Sequence, residues 1–338
     1  MAFIIHLENI TKSFKTYKKE PGFVGTVKGL FSKEYIVKTA VDKISFDIKK
    51  GEIVGYIGAN GAGKSTTIKI MTGILVPTSG KCTVDGIVPY ENRQKNAKQI
   101  GVVFGQRTQL WWDLPLTETF SILKDIYDVS EKDFKERMQF LNEVLGLDEF
   151  VHSAVRTLSL GQRMRADLGA ALIHNPKILF LDEPTIGLDV LVKEKLRKAI
   201  KEINKKFETT VILTTHDLSD IEELCNRIII VDKGKKVYDG SINEIKDEYG
   251  FLRTVEMSIL DIEKALEIDI AKEFNLSQED AITWILGNSM FVKFNRNKIS
   301  VSVIVAHIMG KVQVVDMNIK ETDIEEIVKK IYANEVRL

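Results

Sequence analysis

The chain has 338 residues, 44% of them hydrophobic, which is enough for one large domain plus a small one, or for two domains with buried cores. Lysine plus arginine and aspartate plus glutamate each total 48, so the net charge is zero and no basic excess points to nucleic acid as a partner. The two cysteines, Cys82 and Cys225, are far apart and exclude a disulfide framework and a CxxC metal site, which fits a reducing compartment, and no apolar run approaches the roughly 20 residues of a membrane-spanning helix.

The first six residues have neither a charged lead nor a long apolar stretch, so no signal peptide is expected. Phe14 follows Thr11-Lys12-Ser13, and a strand is expected over residues 43–48. Between them, residues 15–38 read as an insertion, because a few residues suffice for most connections. Within it Phe23, Val24, Val27, Leu30 and Phe31 form a helical apolar stripe, with Lys28 and Lys33 off the stripe and Pro21 just ahead of it. Such an amphipathic segment either packs on the domain's own sheet or meets a membrane partner or lipid headgroups.

Ile53-Val54-Gly55-Tyr56-Ile57 has the character of a short buried strand, and Thr67-Ile68-Lys69-Ile70-Met71 reads as a helix. Between them stand Gly58, Ala59, Asn60, Gly61, Ala62, Gly63, Lys64, Ser65 and Thr66. A strand, a glycine-rich loop ending in Gly-Lys-Ser and a helix make the phosphate-binding loop pattern in its proper context. Glycines let the backbone wrap close to phosphates with its N–H groups turned inward. The helix N-terminus adds a positive dipole end. Lys64 supplies a point charge to the β- and γ-phosphates, and the Ser65 hydroxyl suits Mg²⁺.

Further along, the apolar run Val102-Val103-Phe104 precedes Gln106. Trp111 and Trp112, two of the three tryptophans, follow within a few residues. They read either as anchors for a partner or as core filling beneath the helical segment that follows. Lys177-Ile178-Leu179-Phe180-Leu181 is a buried parallel strand, and Asp182 and Glu183 emerge at its C-terminal end, where α/β sheets place ligands. There Asp182 would hold Mg²⁺ through water and Glu183 would polarise an attacking water as general base. His6, His152, His174 and His307 have no companion His or Cys at ligand spacing, so packing or surface roles are expected. His216 differs, because it follows the strand Thr210-Val211-Ile212-Leu213.

Beyond about residue 245 these motifs end, which divides the chain into a domain over 1–245 and a second over 250–338. The second shows strand patterns at 254–259, 290–294 and 312–317. A short helix is expected from Ser258 or Asp261 through Glu267, and another over 300–309, ended by Gly310. Thr322-Asp323-Ile324-Glu325 reads as a capping box that opens a last amphipathic helix. This is a small α+β module without a catalytic constellation.

Together the motifs resemble the ATP-binding subunits of ABC transporters over roughly residues 3 to 240. Leu158-Ser159-Leu160-Gly161-Gln162 resembles the family's LSGGQ signature, with Leu160 in place of the first glycine. Thr185-Ile186-Gly187-Leu188-Asp189 is similar to its D-loop, Thr214-Thr215-His216-Asp217 to its switch histidine, and Gln106 to its Q-loop glutamine. Phe14 is placed like the aromatic that stacks on adenine. The segment around Trp111 and Trp112, with the insertion, resembles a branch near the daunorubicin-resistance and sodium-efflux exporter ATPases.

The resemblance implies an α/β fold with a RecA-like core, an antiparallel β subdomain and a helical signature subdomain. It implies ATP and Mg²⁺ as ligands, with Ser65, Gln106 and Asp182 around the metal and Glu183, His216 and Gln106 around the chemistry. Ser159, Gly161, Gln162 and Asp189 would reach ATP held by a second ATPase subunit. A separate transmembrane permease subunit is the expected partner, which puts the chain in the cytoplasm at the inner face of the membrane, with an export system expected. The alternative is a soluble relative acting on a ribosome or DNA. Such relatives carry paired cassettes or long coiled coils, and neither is present.

Overall fold

A computed structural model describes residues 3–17, 35–105 and 107–333. The apolar stripe expected at 23–31 and the side chain of Gln106 lie outside the described residues. The chain divides into two compact units, Met1–Gly240 and Ser241–Leu338, so the break falls a few residues ahead of the boundary read from the end of the motifs.

The first unit opens on β1 (Phe3–Tyr17) and β2 (Tyr35–Lys49), which pair antiparallel, with Phe14 opposite Lys38 and Tyr17 opposite Tyr35. The segment read as an insertion is therefore strand at 15–17 and 35–38. Ile44, Phe46 and Ile48 are buried while their neighbours on β2 are not, the period-two pattern of a sheet with one packed face. After β3 (Ile53–Gly58) and α1 (Lys64–Met71), β4 (Ser79–Val84) joins the other side of β1, giving the order β2-β1-β4.

The second sheet of this unit is the scaffold of the site. After α2 (Arg93–Ala97), it takes β5 (Ile100–Phe104). Three helices then follow, α3 (Leu116–Ile126), α4 (Glu131–Leu145) and α5 (Leu160–Leu172). β6 (Ile178–Asp182), α6 (Val190–Phe207), β7 (Thr210–Thr214), α7 (Leu218–Leu224), β8 (Arg227–Asp232) and β9 (Lys235–Ser241) complete it. The strand order is β5-β6-β7-β3-β8-β9, and the neighbours from β5 to β8 run parallel. Ile178, Leu179, Phe180 and Leu181 are all buried, as are Val211, Ile212 and Leu213. Continuous apolar runs of this kind belong to strands covered on both faces.

The second unit contains α8 (Ile242–Tyr249), β10 (Leu252–Ile259), α9 (Ile262–Ala265) and α10 (Ile270–Glu273). It continues with β11 (Ala281–Leu286), β12 (Ser289–Asn295), α11 (Val301–Met309), β13 (Val314–Glu321) and α12 (Ile324–Tyr332). Its antiparallel sheet has the order β11-β12-β10-β13. With helices between β10 and β11 and between β12 and β13, this is the split β-α-β-β-α-β arrangement. Val255, Met257, Val292, Phe294, Ile304 and Ile308 fill its core.

Three expectations need correction here. The capping box at 322–325 does not form: Asp323 is the N-cap of α12 without a side-chain cap bond, and the Thr322 hydroxyl donates instead to the carbonyl of Leu252. A distant carbonyl acceptor has taken the hydroxyl in place of a local N–H donor. The last strand begins at Val314 and runs to Glu321, past the apolar residues, because backbone pairing with β10 extends it through Asn318 and Lys320. The short helix narrows to Ile262–Ala265, and β11 and α10 were not foreseen.

Candidate nucleotide-binding site

β3 delivers the loop 58–66 to the C-terminal edge of the parallel sheet, and α1 begins at Lys64. Gly63 has φ +103, and a Cβ on it would lie 2.3 Å from the Ala40 carbonyl oxygen of β2. Only glycine fits that combination. The loop is tied to the β8–β9 turn as well, since Gly234 N donates to Ala62 O at 3.1 Å and Asp42 N to Gly234 O at 2.8 Å. Ala59, Asn60, Gly61 and Ser65 are exposed, Thr66 is half-buried, and Ala62, Gly63 and Lys64 are buried. Lys64 Nζ donates to Gly58 O at 2.6 Å and Ala59 O at 3.3 Å. Burial pulls its pKa below the usual range, while Glu183 and Asp182 push it back up.

The carboxylate edge faces this loop. Asp182 closes β6; its Oδ1 accepts from Thr214 Oγ1 at 2.5 Å and its Oδ2 from Ser65 Oγ at 3.4 Å. Glu183 follows at φ +59, a left-handed conformation that costs a non-glycine residue about 1–3 kcal/mol. Its N–H donates to Thr214 O at 2.9 Å, and Gly105 N donates to Asp182 O at 2.7 Å. His216 Nε2 lies 3.0 Å from Glu183 Oε1. Burial raises the Glu183 pKa, and the His216 and Lys64 charges work against that rise. A carboxylate held in this way is a better proton acceptor than one in open water.

The signature and D-loop segments back onto each other. Ser159 caps α5 in a reciprocal box: Gln162 N donates to Ser159 Oγ at 3.2 Å, and Ser159 N to Gln162 Oε1 at 2.9 Å. Leu160 takes the first helical position with its side chain 43% exposed, so it does not disturb the box. Asp189 caps α6 through Val192 N at 2.9 Å, and a Cβ on Gly161 would lie 2.9 Å from Val192 Cγ1. The Leu160 and Gly187 positions also adjoin, at 3.2 Å by the same measure.

Two buried carboxylates escaped the sequence reading. Asp220 is fully buried and accepts from Thr185 Oγ1 at 2.5 Å and from Arg197 Nε at 2.6 Å, which locks the segment after Glu183 to α6 and α7. Asp167 of α5 accepts at Oδ1 from Thr108 Oγ1 and Gln109 N, both at 3.0 Å. Its carboxyl is pushed up to about 6 by burial. A lone acid inside a helix carries no sequence signal of such a role; it stands in the stretch 164–172 of α5, where every residue is buried.

Trp111 and Trp112 are 38% and 48% exposed, so core filling is excluded for both. Trp112 stacks on the Arg163 guanidinium at 4.7 Å. Phe14 is 39% exposed on β1 with Lys12 Nζ 5.3 Å over its ring, and its cross-strand partner Lys38 stands two residues before Ala40. His6 pairs with Asp47 at 2.5 Å, His174 stacks on Tyr127 at 3.9 Å, and His307 pairs with Glu273. Among the described residues no group of three His, Cys, Asp or Glu could hold a metal, and no helix is long and apolar enough to cross a membrane.

Residues 41–186 match the ABC transporter family. The chain is 34% identical over 238 residues to the linearmycin resistance ATP-binding protein LnrL of Bacillus subtilis, covering 70% of this chain and 76% of that one. It is 32% identical over 213 residues to the ABC transporter ATP-binding protein NatA of the same organism, covering 63% and 86%. A dimeric ATP-binding cassette solved in a post-hydrolysis state with ADP and Pi superposes with a TM-score of 0.59 at 27% identity, over 70% of this chain and 98% of that one. A phosphate loop facing a carboxylate edge, in a chain this similar to LnrL, leads to one assignment: it belongs to the ABC transporter ATP-binding proteins, a family of ATPases.

Proposed function

We propose that this chain is the motor subunit of a membrane export system, acting through a separate transmembrane permease subunit and through ATP-driven pairing with a second ATPase subunit. The observation that carries the reading is the group at the end of β6, where Glu183 Oε1 stands 3.0 Å from His216 Nε2 on a residue held at φ +59. The loop N–H groups and Lys64 bind the β- and γ-phosphates, and Phe14 stacks on adenine. Ser65 Oγ and Asp182 Oδ2, 3.4 Å apart, are hard oxygen donors that fit Mg²⁺, with Gln106 as a further ligand. The chemistry such an ion supplies is neutralisation of charge on the β- and γ-phosphates. Glu183 takes the proton of the attacking water, and His216 contacts the γ-phosphate and orients that water.

Ser159, Gly161 and Gln162 at the start of α5, with Asp189, serve ATP held by the second subunit. ATP binds the closed pair better than the open one, so it shifts that equilibrium, and hydrolysis reverses it. Export is supported by LnrL being a resistance protein. The exposed Trp111 and Trp112 support a docking face for the permease, and with such a partner the chain would work in the cytoplasm at the inner face of the membrane.

Glu183→Gln keeps the shape and removes the base. Turnover should fall about 10²- to 10⁴-fold while ATP binding survives, and gel filtration with ATP should show an accumulated dimer. Hydrolysis near the native rate would overturn the role of Glu183. Co-purification of a polytopic membrane protein from solubilised membranes tests the partner, and its consistent absence would redirect the reading to a non-membrane target.

A further inference from the structure

β13 is an outer strand of the second unit's sheet, paired with β10 on one side and, among the described residues, with no strand on the other. Residues 315–321 of it are all exposed. Natural sheets blunt such edges with proline, bulges, very short strands or charged side chains, and of these β13 carries mixed charges, Asp316, Lys320 and Glu321. β13 has eight residues and no proline, and its one register shift lies at the Val314 end.

The cross-strand register reveals an incomplete core. Ile319 stands opposite Val255 and Met317 opposite Met257, so these side chains share the face that packs the core. Val255 and Met257 are fully buried, whereas Ile319 and Met317 are 44% and 40% exposed. The apolar layer beneath the sheet therefore ends one strand before the sheet does. The other face of β13 carries Asp316, Asn318 and Lys320 in alternation, and Lys320 Nζ also donates to Glu256 at 2.9 Å.

We propose that a second copy of this chain adds its β13 antiparallel to this edge, about a two-fold axis at Asn318, joining two four-stranded sheets into one. Directly opposed residues of an antiparallel ladder share a face, so a two-fold relation makes one residue face itself. Centring on Asn318 sets Met317 against Ile319 of the partner subunit and Asp316 against Lys320 of the partner subunit, each twice. Centring on Met317 would instead set Asp316 against an asparagine and Val314 against a lysine, leaving both charges without complement. The Asn318 register is thus the one that continues the apolar layer on one face and pairs opposite charges on the other. The contact needs no nucleotide. Its consequence, a raised effective concentration of two ATPase units for each other, rests on the function proposed above; the strand pairing does not.

Cysteine cross-linking of the full chain without nucleotide tests the register. Cys82 and Cys225 are buried, so oxidation reports an introduced cysteine. Asn318→Cys should give a disulfide-linked dimer on a non-reducing gel. Asp316→Cys should not, because its copy stands four residues away along the ladder, about 13 Å, and a disulfide needs Cα atoms within about 7 Å. Analytical ultracentrifugation tests the charges. Asp316→Lys and Lys320→Asp alone should each weaken the dimer about tenfold or more, since each sets like charges opposite twice, and the double exchange should restore most of the loss. A native chain that stays monomeric at high micromolar concentration, equal cross-linking at both positions, or a double exchange no tighter than the single ones overturns the proposal. An ATP-dependent dimer of Glu183→Gln alongside any of these results would sink the strand pairing and leave the ATPase reading standing.

Discussion

Gly105 sits directly under the carboxylate edge, and its missing side chain is a requirement of the site. A Cβ built on it would lie 1.9 Å from the carbonyl oxygen of Glu183 and 3.2 Å from that of Asp182. Both partners are backbone, so no rotamer change relieves the clash, and Gly105→Ala must open the gap by roughly 1 Å in a close-packed interior. The surroundings resist, because Gly105 N is bonded to Asp182 O at 2.7 Å and Glu183 N to Thr214 O at 2.9 Å. The yielding element is then Glu183, already strained at φ +59. Misplacing a catalytic group by about 1 Å costs on the order of 10²-fold in rate, so kcat should fall by about that factor. ATP affinity should stay near native, since β6 and β7 separate β5 from the strand that carries the phosphate loop. Overpacking should also cost about 1–3 kcal/mol of stability. Phosphate-release kinetics, a fluorescent-ATP titration and a thermal melt on one preparation read all three. Gly86→Ala is the control: Gly86 also has a positive φ, +75, but open space around it, so it should lose some stability and keep kcat. A kcat for Gly105→Ala within about twofold of native would refute the positioning argument.

Other expectations follow from the same geometry. The Asp167 carboxyl is pushed up to about 6 by burial, from 3.8. The folded state therefore holds its proton longer, and the ionised group costs stability as pH rises from about 4 through 6, by up to about 3 kcal/mol. Below about pH 4 that cost is absent. The native-minus-Asp167→Asn difference in unfolding free energy should fall over this interval, and a difference flat in pH would refute the burial argument. Trp111→Ala and Trp112→Ala should melt near the native chain. The second loses the Arg163 stacking, worth about 0.5–1 kcal/mol at an exposed site, and not the 3–5 kcal/mol of a core aromatic. A melting loss of the larger size would contradict the docking role, as would undiminished partner capture by both variants. Phe14→Ala should weaken ATP binding by about 1–3 kcal/mol, if base–aromatic stacking elsewhere is a guide. A larger effect from Tyr17→Ala in the same titration would assign the adenine contact to Tyr17 instead.

The nucleotide site was legible in the sequence wherever its chemistry is local. The loop 58–66 is proposed to hold phosphate through its own backbone, so glycine spacing and the Gly-Lys-Ser ending are sufficient to single it out as the candidate. The buried strands were legible for a related reason: a strand covered on both faces must be apolar at every position, as Ile178, Leu179, Phe180 and Leu181 are. What the tertiary structure alone decided is which groups meet across long separations. Ser65 reaches Asp182 across 117 residues, and Thr108 reaches Asp167 across 59. Thr322 looked like a helix cap and bonds Leu252 instead. A hydroxyl gains as much from a distant carbonyl as from a neighbouring N–H, so the local pattern cannot rank the two. The tryptophans and β13 make the same point for apolar side chains. Periodicity says which residues share a face, whereas the packing of other elements over that face decides whether Trp111, Met317 and Ile319 end up covered.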